Sequence, residues 1–204
     1  MEYKFMTPIQ VWEDCNPVAE PLSALVVRTF EADGVVYEKI YFTVKKTGKG
    51  ECRAYAISAR PKKRSKYPTI LITPEASGKE LDENLLKDIA SDGYCALAVD
   101  LEGEIENKKR YTFYPDDLDY CNLSRADRHL SYAEPSARET IWYNWTYVVR
   151  RAITLISELD YADKEKIILV GMGEGSLVGW QTDIMDGRLS VMISVFGYNS
   201  EKKQ

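Results

Sequence analysis

Residues 166–180 read KIILVGMGEGSLVGW, and this segment decides the fold. An apolar run at residues 167–170 enters residues 171–175, GMGEG, which we call the glycine turn. An amphipathic segment follows, predicted as a helix over residues 174–185. A buried strand that passes through a tight turn into a helix is typical of parallel βαβ units, in which the helix packs back onto the sheet. The segment therefore predicts a layered α/β protein.

The rest of the chain supplies further strands and helices. Three segments rich in β-branched and aromatic residues predict an antiparallel meander at the start of the chain: residues 24–30, 35–44 and 51–60. After Pro68 the pattern alternates between apolar strands and helices. The predicted strands are residues 69–73, 95–100, 167–170 and 190–198, and the predicted helices are residues 79–92, 136–159 and 174–185. For the long helix, Ser136 and Glu139 form an S-x-x-E capping box.

Length and composition favour a single domain. The chain has 204 residues and 45% hydrophobic content, enough for one sizeable core. We predict one domain over residues 1–204, with a β meander at residues 1–60 and a βαβ core at residues 61–204. The core contains a polar segment without sustained hydrophobic periodicity, residues 102–135, which we call the polar excursion. Excursions of this length are usually functional or mobile.

The charge pattern restricts the partners. The net charge of -5 argues against a general nucleic-acid binder. The one basic cluster, Lys62, Lys63, Arg64 and Lys66, is interpreted as a solvated turn between two strands rather than a binding patch. No apolar stretch has the length of a signal-peptide core or a membrane span. We therefore expect a cytoplasmic protein that binds neither nucleic acid nor membranes.

The cysteines do not form a recognisable site. Cys15, Cys52, Cys95 and Cys121 are widely spaced and contain no C-x-x-C pair. They are interpreted as free thiols rather than as a disulfide framework or zinc ligands. We expect neither a metal nor a cofactor.

Several spaced landmarks resemble the acetyl xylan esterase-like branch of the α/β-hydrolase superfamily. Residues 41–43 (YFT) and 60–61 (RP) resemble two successive strands of that branch. Residues 162–167 (ADKEKI) resemble its approach to the catalytic turn, and residues 11–22 (VWEDCNPVAEPL) resemble its opening segment. The resemblance spans nearly the whole chain. It implies a mixed sheet with antiparallel N-terminal strands and parallel central strands, flanked by helices, and hydrolysis of a carboxylic ester through a serine acyl-enzyme.

The residues that would carry this chemistry differ from the family pattern. The catalytic serine of α/β-hydrolases is exposed on a sharp strand-to-helix turn. The resemblance places Gly173 at this nucleophile position, and glycine has no side chain to attack a carbonyl. The family's H-G motif, which supplies an oxyanion donor, corresponds to Thr73, Pro74 and Glu75. Proline has no N–H, and a carboxylate repels a developing oxyanion.

The acid and the histidine of the triad are also not found where the family has them. They follow the serine in later strands. The sequence ends at Gln204, after the sixth core-type strand. At about 30 residues per strand–helix unit, about 60 residues that would supply the last strands are lacking. The single histidine, His129, precedes the glycine turn. A base–orienter pair with Asp127 is the alternative, but His129 is interpreted as solvent-exposed and idle. Ser176 lies inside the predicted helix and is not expected to replace the nucleophile.

These departures predict a degenerate, non-catalytic homologue that serves ligand binding or protein assembly. The resemblance implies that the Glu174 N–H is the remaining half of an oxyanion hole, and that the pocket binds a small acyl or sugar ligand. The candidate pocket residues are Thr73, Pro74, Glu75, Gly173 and Glu174.

Assembly is suggested by the last predicted strand, residues 190–198 (SVMISVFGY). It is apolar on both faces, as buried parallel strands are. If this strand lies at the edge of the sheet, the edge is exposed unless something pairs with it. We therefore expect a homo-oligomer or a partner chain at residues 190–198.

Two alternative functions remain. The first is an active carboxylic-ester hydrolase, acting on carbohydrate acetyl esters, that a further segment or another chain completes. The second is a nucleotide-binding α/β protein in which residues 171–176 hold a phosphate at the helix N-terminus. The dinucleotide motif requires glycine where Ser176 stands, and Glu174 would repel a phosphate. A simpler explanation, which we favour, is that the glycines let the helix pack close to the strand.

Overall fold

A seven-stranded mixed sheet organises the part of the chain that this computed structural model describes, residues 5–106, 108–125 and 136–197. In chain order, the strands are β1 (Leu25–Ala32), β2 (Val35–Thr47), β3 (Gly50–Pro61), β4 (Tyr67–Thr73), β5 (Cys95–Val99), β6 (Ala162–Gly173) and β7 (Val191–Gly197). The α-helices are α1 (Pro8–Trp12), α2 (Glu83–Ser91), α3 (Ile141–Glu158) and α4 (Glu174–Met185).

The sheet is antiparallel on one side and parallel on the other. Strands β1, β2 and β3 form the predicted antiparallel meander, and β3 pairs antiparallel with β5. Strands β5, β4, β6 and β7 run parallel to one another, and β7 lies at the edge. The predicted α/β fold, with antiparallel N-terminal strands and parallel central strands, is confirmed.

Strand β4 is the topological switch point of the parallel part. The chain passes from β4 to β5 on one side and, after α3, returns to β6 on the other side. In open α/β sheets, ligands bind in the crevice outside the carboxyl ends of the strands at this point. Here these ends are Thr73 of β4, Val99 of β5 and Gly173 of β6.

Two of the helix starts differ from the predictions. Helix α4 has its predicted bounds, but α2 begins four residues later than predicted because the Asp82 carboxylate caps it. This carboxylate accepts hydrogen bonds from the backbone N–H groups of Asn84 and Leu85, at 2.9 and 3.2 Å. Asp is among the strongest N-cap residues, so its position sets the first turn.

The capping box predicted for the long helix is wrong. The Ser136 side chain makes no capping hydrogen bond, and a short 3-10 helix, Ala137–Glu139, precedes α3. Thr140 is the N-cap instead, and its hydroxyl accepts from the Tyr143 N–H at 3.1 Å. Thr140 has the extended backbone that an N-cap requires and stands directly before the apolar face.

The hydrophobic core has a layer on each face of the sheet. On one face, α3 packs Trp145, Val149 and Ile153 against the strands, together with Val178 of α4. On the other face, α2 contributes Leu86 and Ala90. These helices bury the apolar strands from both sides, which is the arrangement that parallel strands require.

The described part of the polar excursion packs onto the sheet. It contains a 3-10 helix, Asp116–Cys121, and Phe113 pairs with Arg53 in an isolated bridge. His129 and Asp127 lie outside the described residues. All four cysteines are buried free thiols, as predicted. Within the described ranges, no helix has the length and apolar character needed to cross a membrane.

Candidate functional site

The glycine turn has the backbone of a strained strand-to-helix junction. Gly173 is both the last residue of β6 and the N-cap of α4, with φ 53° and ψ -122°. L-residues with a side chain rarely adopt this positive φ, whereas glycine adopts it without a Cβ penalty. A sharp, strained turn between a strand and a helix is also the setting of the nucleophile in α/β-hydrolases. The turn therefore has hydrolase-like geometry without a nucleophilic side chain.

Gly175 lets α4 begin in direct contact with the end of β4. A β-carbon on this residue would lie 2.1 Å from the carbonyl O of Thr73 and 2.6 Å from that of Pro74. The Thr73 hydroxyl donates a hydrogen bond to the carbonyl O of Gly175 at 2.9 Å. The close packing of helix against strand that we inferred from the glycines is present.

The Glu75 side chain fills the space beside Gly173. A β-carbon on Gly173 would lie 2.8 Å from Cγ of Glu75 and 3.2 Å from its Cβ. A serine at this position would therefore meet the Glu75 side chain unless that exposed side chain turned away. A carboxylate-bearing side chain thus occupies the region into which a nucleophile would project.

The Glu174 side chain accepts a hydrogen bond from the backbone of the loop after β4. Its Oε2 accepts a hydrogen bond from the Ala76 N–H at 3.2 Å. In α/β-hydrolases a loop N–H of this kind is one half of the oxyanion hole. Here the donor is engaged by a carboxylate, and Glu75 adds a second carboxylate nearby. Both charges would destabilise an oxyanion or a bound phosphate at the glycine turn.

Ser176 is buried in α4, and its hydroxyl lies against backbone carbonyls of β6 and β7. The residue is 1% exposed. Its Oγ lies 2.7 Å from the carbonyl O of Gly171 and 3.2 Å from that of Val195. The hydroxyl is therefore used within the fold, which supports the interpretation that it does not replace the nucleophile.

A buried ionic group, which sequence reasoning missed, anchors the loops around the glycine turn. We call Asp100, Glu102 and Lys108 the buried triad. The Lys108 ammonium donates to the Asp100 carboxylate and, at 2.9 Å, to Glu102 Oε2. Glu102 Oε1 accepts from the Gly78 N–H at 2.7 Å, and Asp100 Oδ2 accepts from the Thr112 N–H at 2.7 Å. The triad joins the loop after β4, which carries Glu75, to the loop after β5.

Charge pairing favours the ammonium form of Lys108 in the buried triad. Burial works to lower the pKa of Lys108, but the neighbouring carboxylates of Asp100 and Glu102 raise it above its ordinary value. The lysine side chain is only 1% exposed. The sole sequence signal was the pair of acids directly after a buried strand, and Lys108 itself stands in a segment without periodicity.

The five predicted pocket residues come together at the carboxyl ends of β4 and β6. They do not, however, line any of the three cavities that we describe, which have volumes of about 860, 610 and 570 Å³. Among the described residues, no group of three or more His, Cys, Asp or Glu side chains is placed to hold a metal ion.

Comparison with known proteins agrees with this architecture. No family model and no curated protein matches the sequence. Among solved structures, the acetyl xylan esterase from Paenibacillus sp. R4 has a TM-score of 0.70 at 17% identity, over 97% of this chain and 62% of that one. Acetyl xylan esterase 1 from Thermoanaerobacterium sp. JW/SL YS485 has a TM-score of 0.64 at 15% identity, over 92% of this chain and 57% of that one.

A third similar structure is that of a protein named for a different activity. It is a dienelactone hydrolase-like promiscuous phosphotriesterase from metagenomic libraries, with a TM-score of 0.58 at 16% identity, over 83% of this chain and 63% of that one. The chain spans less than two thirds of the length of each of these structures. At such identities the likeness establishes architecture, and the architecture is shared by esterases and related hydrolases. The chain has the α/β-hydrolase fold.

Proposed function

We propose that this chain is a non-catalytic protein with an α/β-hydrolase fold, and that it works by assembly through the exposed edge of its sheet. The observation that carries the first half is the Glu75 side chain beside Gly173, where a nucleophile would project. Acyl transfer through a covalent intermediate needs a nucleophilic side chain with a base in reach. Gly173 has no side chain, so a serine acyl-enzyme cannot form at this position.

The charges at the glycine turn support the same proposal. Ester hydrolysis passes through an oxyanion, which preorganised N–H donors stabilise. Here the Ala76 N–H is engaged by Glu174, at 3.2 Å. Restoring a nucleophile alone would leave two carboxylates beside the developing negative charge. The site is therefore unsuited to the reaction in more than one respect.

A serine-reactive fluorophosphonate tests the catalytic half. We expect no adduct on the folded wild-type chain, and none on Gly173→Ser or on Gly173→Ser combined with Glu75→Ala, by intact mass and peptide mapping. A serine esterase labelled in parallel shows that the reagent is active. The second variant matters because Glu75→Ala removes the collision with the new side chain. A stoichiometric adduct on any serine of the wild-type chain would overturn the proposal.

Strand β7 presents an open edge that has neither a charge nor a proline, although its pairing with β6 is irregular at Phe196. Among the described strands it pairs only with β6, so the backbone groups on its other side face outward. Its apolar side chains are exposed, with Ile193 at 44% and Phe196 at 89%. Trp180 and Ile184 of α4 extend the exposed apolar surface. Natural proteins usually protect such edges with charges, proline or bulges, because open edges pair with other chains.

A second copy of this chain is the partner that fits β7 best. Residues 191–197, VMISVFG, contain no charge, so pairing the strand with itself brings no like charges together. A twofold axis would place two β7 strands antiparallel and extend the sheet across the interface. The exposed side chains of α4 would then lie beside the shared strands. We propose this homodimer as the functional form.

Ile193→Lys tests the interface. A lysine in the middle of β7 brings two positive charges together across the twofold axis, and we expect it to convert a dimer into a monomer in light scattering coupled to size exclusion. Val27→Lys is the matched control, since Val27 is a 37% exposed valine of β1 at the opposite edge of the sheet. It should leave the mass unchanged. A wild-type chain that stays monomeric at high micromolar concentration, or a dimer lost only in Val27→Lys, would contradict the proposed interface.

A further inference from the structure

A basic cavity lies at the end of the sheet opposite the glycine turn, beside the first residues of β4 and β6. Its volume is about 610 Å³, and its lining includes Arg60, Lys62, Arg64 and Lys66. Asp160 is the only acidic residue in that lining. The whole chain has a net charge of -5, so this surface has the opposite sign to the molecule as a whole. Such a concentration of positive charge attracts anions.

Arg60 is held in a fixed orientation inside the basic cavity. Its guanidinium lies over the Tyr161 ring, 4.6 Å from the centroid. The Tyr161 hydroxyl donates to Glu38 Oε2 at 2.7 Å and lies 2.9 Å from Ser58 Oγ, so the ring itself is anchored. A stacked, planar guanidinium is preorganised for a planar or tetrahedral oxyanion.

One donor of Arg60 is unused within the fold. Its Nε is buried and has no hydrogen-bond partner among the described residues. Its Nη1 donates only to the neighbouring Pro61 carbonyl, at 3.4 Å. Buried donors in folded proteins are nearly always paired, so an unpaired one requires an explanation. The fold therefore leaves part of the hydrogen-bonding capacity of the Arg60 guanidinium unused.

The other cations of the cavity strengthen this explanation. Lys62 forms an ion pair with Glu31 at 2.8 Å. Arg64 and Lys66 are exposed and form no ion pair with any described residue. The sequence predicted a solvated turn here, and residues 62–66 are indeed exposed. Four of these residues nevertheless line the cavity together with Arg60 and Tyr161: Lys62, Arg64, Ser65 and Lys66.

We propose that the basic cavity binds the phosphate group of a small phosphate monoester. A doubly charged tetrahedral oxyanion matches an arginine fork together with flexible lysine and arginine side chains. The cavity volume is in the range of small-molecule sites and exceeds the size of a bare phosphate ion, leaving room for the organic part. The site is independent of the glycine turn and of the β7 edge.

The first test is isothermal titration calorimetry with inorganic phosphate. Chloride keeps the ionic strength constant. We expect saturable binding with a stoichiometry of one. Arg60→Met, which keeps an unbranched apolar stem over Tyr161, is expected to weaken binding at least tenfold. Lys66→Gln is expected to weaken it severalfold. Lys49→Gln removes the same single charge from the exposed turn between β2 and β3 and should leave binding unchanged.

The outcomes separate this site from general attraction of anions. Absence of saturable phosphate binding by the wild-type chain would overturn the proposal, as would equal losses in Lys66→Gln and Lys49→Gln. Binding of RNA with no measurable binding of phosphate would indicate an extended polyanion surface instead and would also overturn it. Circular dichroism of each variant verifies folding, and Lys66→Gln keeps the test decisive if Arg60→Met unfolds.

Discussion

Replacing Lys108 with methionine is expected to lower the free energy of unfolding by about 3–5 kcal/mol at neutral pH. The substitution removes the ammonium that pairs with Asp100 and Glu102 and leaves two carboxylates buried side by side. Breaking a buried ion pair by removing one partner is more costly than replacing the whole pair, since the remaining charge has lost its compensation. Urea unfolding followed by circular dichroism measures the loss.

The pH dependence of the free energy of unfolding identifies the cause of this loss of stability. Burial raises the pKa of the Asp100 carboxyl. Without Lys108, burial and the Glu102 charge both favour the protonated form. An acid whose pKa is raised by folding destabilises the folded state as the pH rises above its unfolded value, about 4. The deficit of Lys108→Met should therefore be largest at neutral pH and shrink as the pH falls toward about 4.

The free energy of unfolding of the wild-type chain should fall at alkaline pH. Because the pKa of Lys108 is raised in the folded state, the stabilisation by the buried triad is complete below the unfolded value of about 10.4. It is lost as the pH rises through the folded value. This alkaline loss should be missing in Lys108→Met, which has no ammonium to titrate.

A surface lysine provides the control for Lys108→Met. The Lys46 side chain is 65% exposed, and its ammonium lies 3.5 Å from Glu51. Lys46→Met should change the free energy of unfolding by less than about 0.5 kcal/mol, because exposed ion pairs contribute little. A loss below about 1 kcal/mol in Lys108→Met would show that the triad does not anchor the two loops.

The local pattern of the sequence was sufficient for the parallel half of the fold. An apolar strand, a glycine turn and a helix start are encoded within one short segment, so the bounds of α4 were predicted correctly. The alternating and aromatic strands of the meander were found for the same reason. Helix starts were less accurate because several polar residues compete for the N-cap. Ser136 matched a capping motif, but Thr140 adopts the cap in the structure.

The arrangement of the candidate site could be predicted only in part. The resemblance placed Glu75 and Gly173 at one site, although they are far apart in sequence. It did not show that the Glu75 side chain fills the space beside Gly173, which depends on how the loop after β4 folds. That loop is held by Glu102 through the Gly78 N–H, at 2.7 Å. A partner such as Lys108, in an aperiodic segment, leaves no pattern for sequence reasoning to detect.

Replacing Gly175 with alanine is expected to destabilise the fold by about 3 kcal/mol, at the upper end of the cost of overpacking. The new β-carbon would lie 2.1 Å from the Thr73 carbonyl O. This atom belongs to the backbone of β4, so it cannot rotate away, and α4 must move as a unit. The higher helix propensity of alanine recovers at most about 1 kcal/mol. Chemical denaturation of the purified variant measures the difference.

Gly179→Ala in the same helix is the matched control for Gly175→Ala. A β-carbon on Gly179 would lie 2.6 Å from Cε of Met192 and 2.8 Å from Cδ2 of Leu169. Both contacts are ends of flexible side chains, which can adjust at a cost below that of moving backbone, and the gain in helix propensity is the same. Gly175→Ala should therefore be the less stable variant by about 2 kcal/mol. Equal stability of the two variants would mean that α4 can retreat from β4 freely, and the close contact that shapes the glycine turn would then not be essential to the fold.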